Sequence, residues 1–203
     1  VEPPDTGWLA ADRYGSGPQG IILIGHGGYS TRASWAATAQ ALADSGFRVL
    51  VFETRAAIAL REGRETACLY DAPCMAREVR AAVRHLRSDG AQVVTVVGGS
   101  AGGGAAAQAS VEAPGLIDRL ILLAPMSIAA PERTSGRRLV IVARDDRGAG
   151  DRPRLPAIRE QYDRAPDPKE LLLFEGSAHG QRLLDTADRP AVLAAMLRFL
   201  RAP

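Results

Sequence analysis

The chain has 203 residues, 46% of them hydrophobic, with 25 basic side chains against 23 acidic ones. That length fits one compact domain with a sizeable core. No apolar run approaches the roughly 18 residues of a membrane span, and the arginines are scattered rather than gathered, which argues against a dedicated nucleic-acid binder.

In chain order, residues 1–6 read as a proline-containing lead-in and 8–14 as an edge strand closed by Gly15-Ser16-Gly17-Pro18. Residues 20–25 are continuously apolar, as in a central parallel strand covered on both faces. The turn His26-Gly27-Gly28-Tyr29 follows, then a helix over about 34–45 with Trp35, Ala39 and Leu42 on one face and Gly46 as its stop. A strand is expected at 48–53, and a wandering loop with a turn of helix over 54–73. Residues 75–88 form an amphipathic helix, with Val79, Val83 and Leu86 inward and Arg77, Arg80, Arg84 and Arg87 toward water. Further strands are expected at 93–97, 119–124, 138–143 and 169–174, with helices at 105–109, 155–163 and 190–200. This alternation predicts a single-domain α/β fold over 1–203, a mostly parallel sheet with helices on both faces. About fourteen residues separate the strands ending at Ala124 and starting at Arg138, which leaves no room for a lid domain.

The chemistry centres on Gly98-Gly99-Ser100-Ala101-Gly102, where a β-branched run breaks and an alanine-rich segment begins. Strand, sharp turn and helix are the context of a G-x-S-x-G nucleophile elbow. The competing reading is a phosphate-binding glycine turn, but neither G-x-G-x-x-G with a later acidic residue nor a Walker-type Gly-Lys-Ser/Thr is present. A serine needs a base, and the base an orienting acid. Of three histidines, His85 lies between arginines on a helix and reads as solvated. His26 reads as a brace for its loop. His179 follows a strand's carboxyl end, the rim where open α/β sheets bind ligands, and is the expected base. Asp146, three residues past Ala143, is the expected acid, with Asp145 in reserve; the alternative is that both, like Asp151 nearby, only solvate the loop. The oxyanion hole requires two backbone N–H groups, expected from Ala101 and Gly28. Tyr29, Met126 and Ile128 follow strand ends and are candidate substrate-lining residues. Cys68 and Cys74 are expected to close a small disulfide, the alternative being two free thiols. Two such ligands do not make a zinc site, and nothing in the motifs calls for a metal or cofactor.

These residues resemble the α/β-hydrolase superfamily from about Gly20 to Leu200: His26-Gly27-Gly28 with Trp35 nine positions after the histidine, the serine elbow, the Asp145-Asp146 loop and Gly176-Ser177-Ala178-His179-Gly180. The chain order Ser100, Asp146, His179 is that of the α/β hydrolases. Within the superfamily the chain looks like small lidless bacterial serine hydrolases near the dienelactone-hydrolase-like and short-chain esterase branch. The resemblance implies Ser100 as nucleophile, His179 as base, Asp146 as acid, and Gly28 with Ala101 as oxyanion donors. It departs from the family at Arg55-Ala56-Ala57-Ile58, where relatives often carry Arg-Gly-x-Gly-x-Ser, and at the elbow, where dienelactone hydrolases use cysteine. The expected activity is hydrolysis of small or short-chain carboxylic esters, with a small-molecule ester as the partner. The rivals are an acyltransferase or peptidase using the same triad, and a non-catalytic binding protein on a hydrolase scaffold. The start at Val1 and the cysteine pair lean toward a periplasmic or secreted location, with a cytoplasmic one left open.

Overall fold

A computed structural model describes residues 9–25, 30–66, 68 and 70–202 of the protein. The strands are β1 (Ala11–Tyr14), β2 (Gln19–Ile24), β3 (Arg48–Phe52), β4 (Val93–Gly99), β5 (Arg119–Leu123), β6 (Arg137–Ala143) and β7 (Lys169–Phe174). They form one sheet in the order β1-β3-β2-β4-β5-β6-β7, with β1 antiparallel to β3 and every other pair parallel. The helices are α1 (Arg32–Asp44), α2 (Arg55–Arg61), α3 (Ala72–Ser88), α4 (Ala101–Glu112), α5 (Leu155–Arg164) and α6 (Arg189–Arg201).

The apolar runs in the central strands reflect burial from both sides. Alternate residues point to opposite faces. Ile21, Leu23, Val49 and Val51 pack with Trp35 and Leu42 of α1 and with Met196 and Phe199 of α6. Their neighbours Ile22, Ile24, Leu50 and Val96 pack with Val79, Val83 and Leu86 of α3, Ala105 and Ala109 of α4 and Ile158 of α5. The sequence pattern and the two-layered core are therefore one fact described twice.

Several boundaries differ from the sequence expectation. The edge strand begins at Ala11, and Trp8 and residues 1–6 lie outside the described residues. The stretch expected to wander contains the two-turn helix α2, whose N-cap is Thr54, with its hydroxyl accepting from the Ala57 N–H at 3.1 Å. No apolar period marks so short a helix; its cap starts it. The next helix begins at Ala72 rather than Met75, because Asp71 caps it through the Cys74 N–H at 2.6 Å and Pro73 suits a first turn. Cys74 therefore sits inside that first turn. Its disulfide to Cys68, with Cα atoms 5.4 Å apart, ties the preceding chain to the start of α3.

The arginines of α3 are likewise not all solvated. Arg77 and Arg84 are exposed. Arg80 pairs with Glu112 of α4, and Arg87 pairs with Asp118 at 2.5 Å. Glu78, on the same helix, is buried and accepts from the Arg55 N–H at 3.2 Å, docking α2 on α3. Burial pushes its carboxyl above the ordinary carboxylate value, and the hydrogen bond and charge of Arg55 partly offset this.

One close approach governs the centre of the sheet. A Cβ on Gly98 would lie 2.5 Å from the Gly102 carbonyl oxygen, and one on Gly102 would lie 2.7 Å from the Ile24 carbonyl oxygen. Strand and helix can meet this tightly only without side chains. Gly98→Ala is therefore expected to destabilise the protein by roughly 1–3 kcal/mol through overpacking. A urea midpoint lowered at unchanged m-value would show it; an unchanged midpoint would mean that the crossing has slack.

Candidate active site

Ser100 stands between the last residue of β4 and the first of α4, with φ 54° and ψ −118°. Left-handed φ in a residue with a side chain costs of order 1–3 kcal/mol and persists only where the surroundings enforce it. Three backbone bonds do so here. The Ser100 N–H donates to the Leu123 carbonyl at 3.0 Å, and its own carbonyl accepts from Gly104 at 3.1 Å and Met126 at 2.9 Å. The side chain is thereby raised off the carboxyl edge of the sheet.

The other two groups arrive at the same edge from β6 and β7. His179 Nε2 lies 2.8 Å from Ser100 Oγ, and His179 Nδ1 lies 2.8 Å from Asp146 Oδ2. Asp146 is fully buried and Ser100 nearly so, while the His179 side chain is 21% exposed. With the ring's Nδ1–H donated to the carboxylate, Nε2 is left as the acceptor facing the serine hydroxyl. Asp145, the reserve acid, is exposed, and its N–H donates to the Gly176 carbonyl at 2.9 Å, so it meets the base's loop through backbone only. Asp151 is exposed too and pairs with Arg147. Their separation follows from the turn after Ala143, which folds one carboxylate inward and leaves its neighbours in water.

Small residues let the loops close. Gly180, at φ 57°, brings the His179 loop against the elbow, where a Cβ would stand 3.5 Å from Ser100 Cβ. Ala101 opens α4, and the first amides of a helix have no partner within it. Gly28 and Tyr29 lie outside the described residues, as does His26. Met126 adjoins the elbow through its bond to Ser100. Ile128 turns elsewhere: its N–H donates to Gln161 Oε1 at 2.6 Å, and it lines a small internal cavity of about 20 Å3 with Leu122, Ile158 and Tyr162. His85 is exposed on α3.

A cleft of about 950 Å3 runs along the His179 loop, with Ser34, Ser177, His179, Arg182 and Thr186 among its walls. Gln181 was not singled out from the sequence. It is buried, accepts from the Ser30 hydroxyl at 2.8 Å and donates to the Ser34 hydroxyl at 2.9 Å, joining the turn after His179 to the start of α1. A glutamine two residues past the base was its only trace in the sequence. Among the described residues, no cluster of His, Cys, Asp and Glu is arranged to hold a metal, and no helix is long and apolar enough to cross a membrane.

Residues 20–153 match the family model described as the alpha/beta hydrolase fold. The chain belongs to the alpha/beta hydrolase family. No curated protein matches it. Among solved structures it is similar to a dienelactone hydrolase from Anabaena variabilis, at 22% identity and TM-score 0.69, with 94% of this chain and 88% of that one covered. A monoacylglycerol lipase from Paleococcus ferrophilus gives 12% identity and TM-score 0.77, with 96% and 98% covered. A structure described with carboxylesterases of Nitrososphaera gargenis gives 16% and 0.74, with 98% and 97% covered. At these identities the likeness shows the fold.

Gln181→Ala in this alpha/beta hydrolase is expected to leave the buried Ser30 hydroxyl unpaired and to cost roughly 1–3 kcal/mol. The urea midpoint reads this; a variant as stable as the parent would mean that the network carries no weight.

Proposed function

We propose that the protein is a serine hydrolase that cleaves small or short-chain carboxylic esters through an acyl-enzyme. What carries the reading is the unbroken line Asp146 Oδ2, His179 Nδ1, His179 Nε2, Ser100 Oγ, with both contacts at 2.8 Å. This is the geometry a nucleophile, base and orienting acid require.

In this mechanism His179 Nε2 takes the Ser100 proton as Oγ attacks the ester carbonyl carbon. The new charge on the former carbonyl oxygen is received by the Ala101 N–H, aided by the positive end of α4, and by Gly28 as the second donor. The imidazolium then protonates the departing alkoxide, which leaves as the alcohol. The acyl group stays on Ser100. Water, deprotonated by the same nitrogen, attacks the acyl-enzyme, and collapse returns the carboxylic acid and free serine. Asp146 holds the ring's tautomer and stabilises the imidazolium.

The inference of small acyl groups rests on the short segment 124–136 between β5 and β6, which holds only a single 3-10 turn at Pro131–Arg133. An inserted lid at that point would lengthen the binding surface, and this segment has none.

Across a series of p-nitrophenyl esters, kcat/KM is expected to peak at two to four acyl carbons, on the order of small substrates filling an open site. A maximum at long chains would contradict the size inference. Ser100→Ala and His179→Ala should fall to about the same residual activity, roughly 10³–10⁴ over the uncatalysed rate, since the members act as a unit. Retention of parental turnover by either variant would end the triad assignment.

A further inference from the structure

The second oxygen of the buried acid has no hydrogen-bond partner among the described residues. The nearest cation is Arg154, whose Nε is also buried without a partner and lies 3.7 Å from Asp146 Oδ1. The two unsatisfied groups face each other across a loop built to bring them together. The Arg154 N–H donates to the Asp146 carbonyl at 2.9 Å, closing the neck of the loop. Within it, Gly148 N–H donates to the Arg152 carbonyl at 2.8 Å, and Arg147 bridges Pro153. Gly148 also makes room, since a Cβ there would stand 3.2 Å from Arg154 Cζ and Nη2.

We propose that Arg154 is a positioning residue for the Asp146–His179 pair, a role that rests on the triad reading above. Its guanidinium anchors Oδ1 so that Oδ2 stays aimed at His179 Nδ1. A buried carboxylate oxygen without a hydrogen bond is costly, and the guanidinium 3.7 Å away offsets that cost by its charge. The same positive charge offsets part of the negative field that Asp146 exerts on the imidazolium. Removing it leaves the imidazolium better stabilised, so the ring gives up its proton only at higher pH.

The other charges around the pair are accounted for. On the loop after β6, Arg144 pairs with Glu175 at 2.7 Å, Asp145 is exposed, and Arg147 pairs with Asp151 at 3.2 Å. Arg182 and Asp185 lie on the turn after His179 and line the cleft. The first turn of α4, Ala101-Gly102-Gly103-Gly104, brings none.

The test compares Arg154→Gln, Arg154→Lys and Gly148→Ala with the parent, by the pH profile of ester kcat/KM and by proton NMR titration of the His179 ring. Arg154→Gln is expected to lower kcat about tenfold, the effect of one lost charge contact, with KM little changed. Its acidic limb should move to higher pH by roughly half a unit to one unit, the scale for one partly exposed charge. Arg154→Lys should move the limb less than the glutamine variant. Gly148→Ala, which displaces the guanidinium but keeps the residue, should move it in the same direction by less, and it decides the matter if the glutamine variant does not fold. Limbs and ring titrations that coincide in all four proteins would overturn the proposal and leave Arg154 as a loop closure. If the parent itself turns over no ester, the triad reading fails separately, and the ring titration still decides whether Arg154 acts on His179.

Discussion

The left-handed backbone at Ser100 is the constraint on which the rest of the site depends. Its cost is met by the surroundings: the amide held by Leu123, the carbonyl held by Gly104 and Met126, and glycines at 98 and 102 that let β4, β2 and α4 crowd together. A side chain on either glycine would push the elbow off the sheet edge. The hydroxyl would then move away from His179 Nε2, which it now meets at 2.8 Å. The fold thus holds one residue under strain and surrounds it with backbone contacts that fix where its oxygen points.

The remaining two groups reach that oxygen because parallel strands present their carboxyl ends to one rim. β6 ends at Ala143 and β7 at Phe174, paired in register, so the loops that follow start side by side. The Asp145 and Arg144 amides bond back to the Gly176 and Phe174 carbonyls, which locks one loop to the other before any side chain is considered. The aspartate is then fully buried and the hydroxyl nearly so, while the imidazole between them lines the cleft. The carboxyl group lies in the interior, and the imidazole stands at the solvent edge.

Much of this was legible in the sequence. The unbroken apolar runs at 20–25 and 120–124 identified central strands because burial on both faces leaves no polar alternation. Gly98-Gly99-Ser100-Ala101-Gly102 pointed to the elbow because a strand that turns straight into a helix leaves room only for small residues around the serine. The offset from Ala143 favoured Asp146 over Asp145, but only the folded turn shows which of the two is buried. What stayed hidden depends on contacts distant in sequence. The helix Arg55–Arg61 has no amphipathic signature, since Thr54 caps it and a buried Glu78 docks it. Gln181 links two hydroxyls some 150 positions away (|i−j| of 151 and 147), and no local pattern encodes that. Ile128 shared its place after a strand with Met126, yet its amide bond to Gln161 turns it toward α5.

The central claim is that one hydroxyl of this protein, and no other, is activated. Intact-protein and peptide mass spectrometry after brief exposure to a fluorophosphonate tests it most directly. The account predicts a single adduct per chain, mapped to the peptide carrying Ser100. No adduct, or adducts spread over surface hydroxyls with Ser100 unmodified, would contradict it.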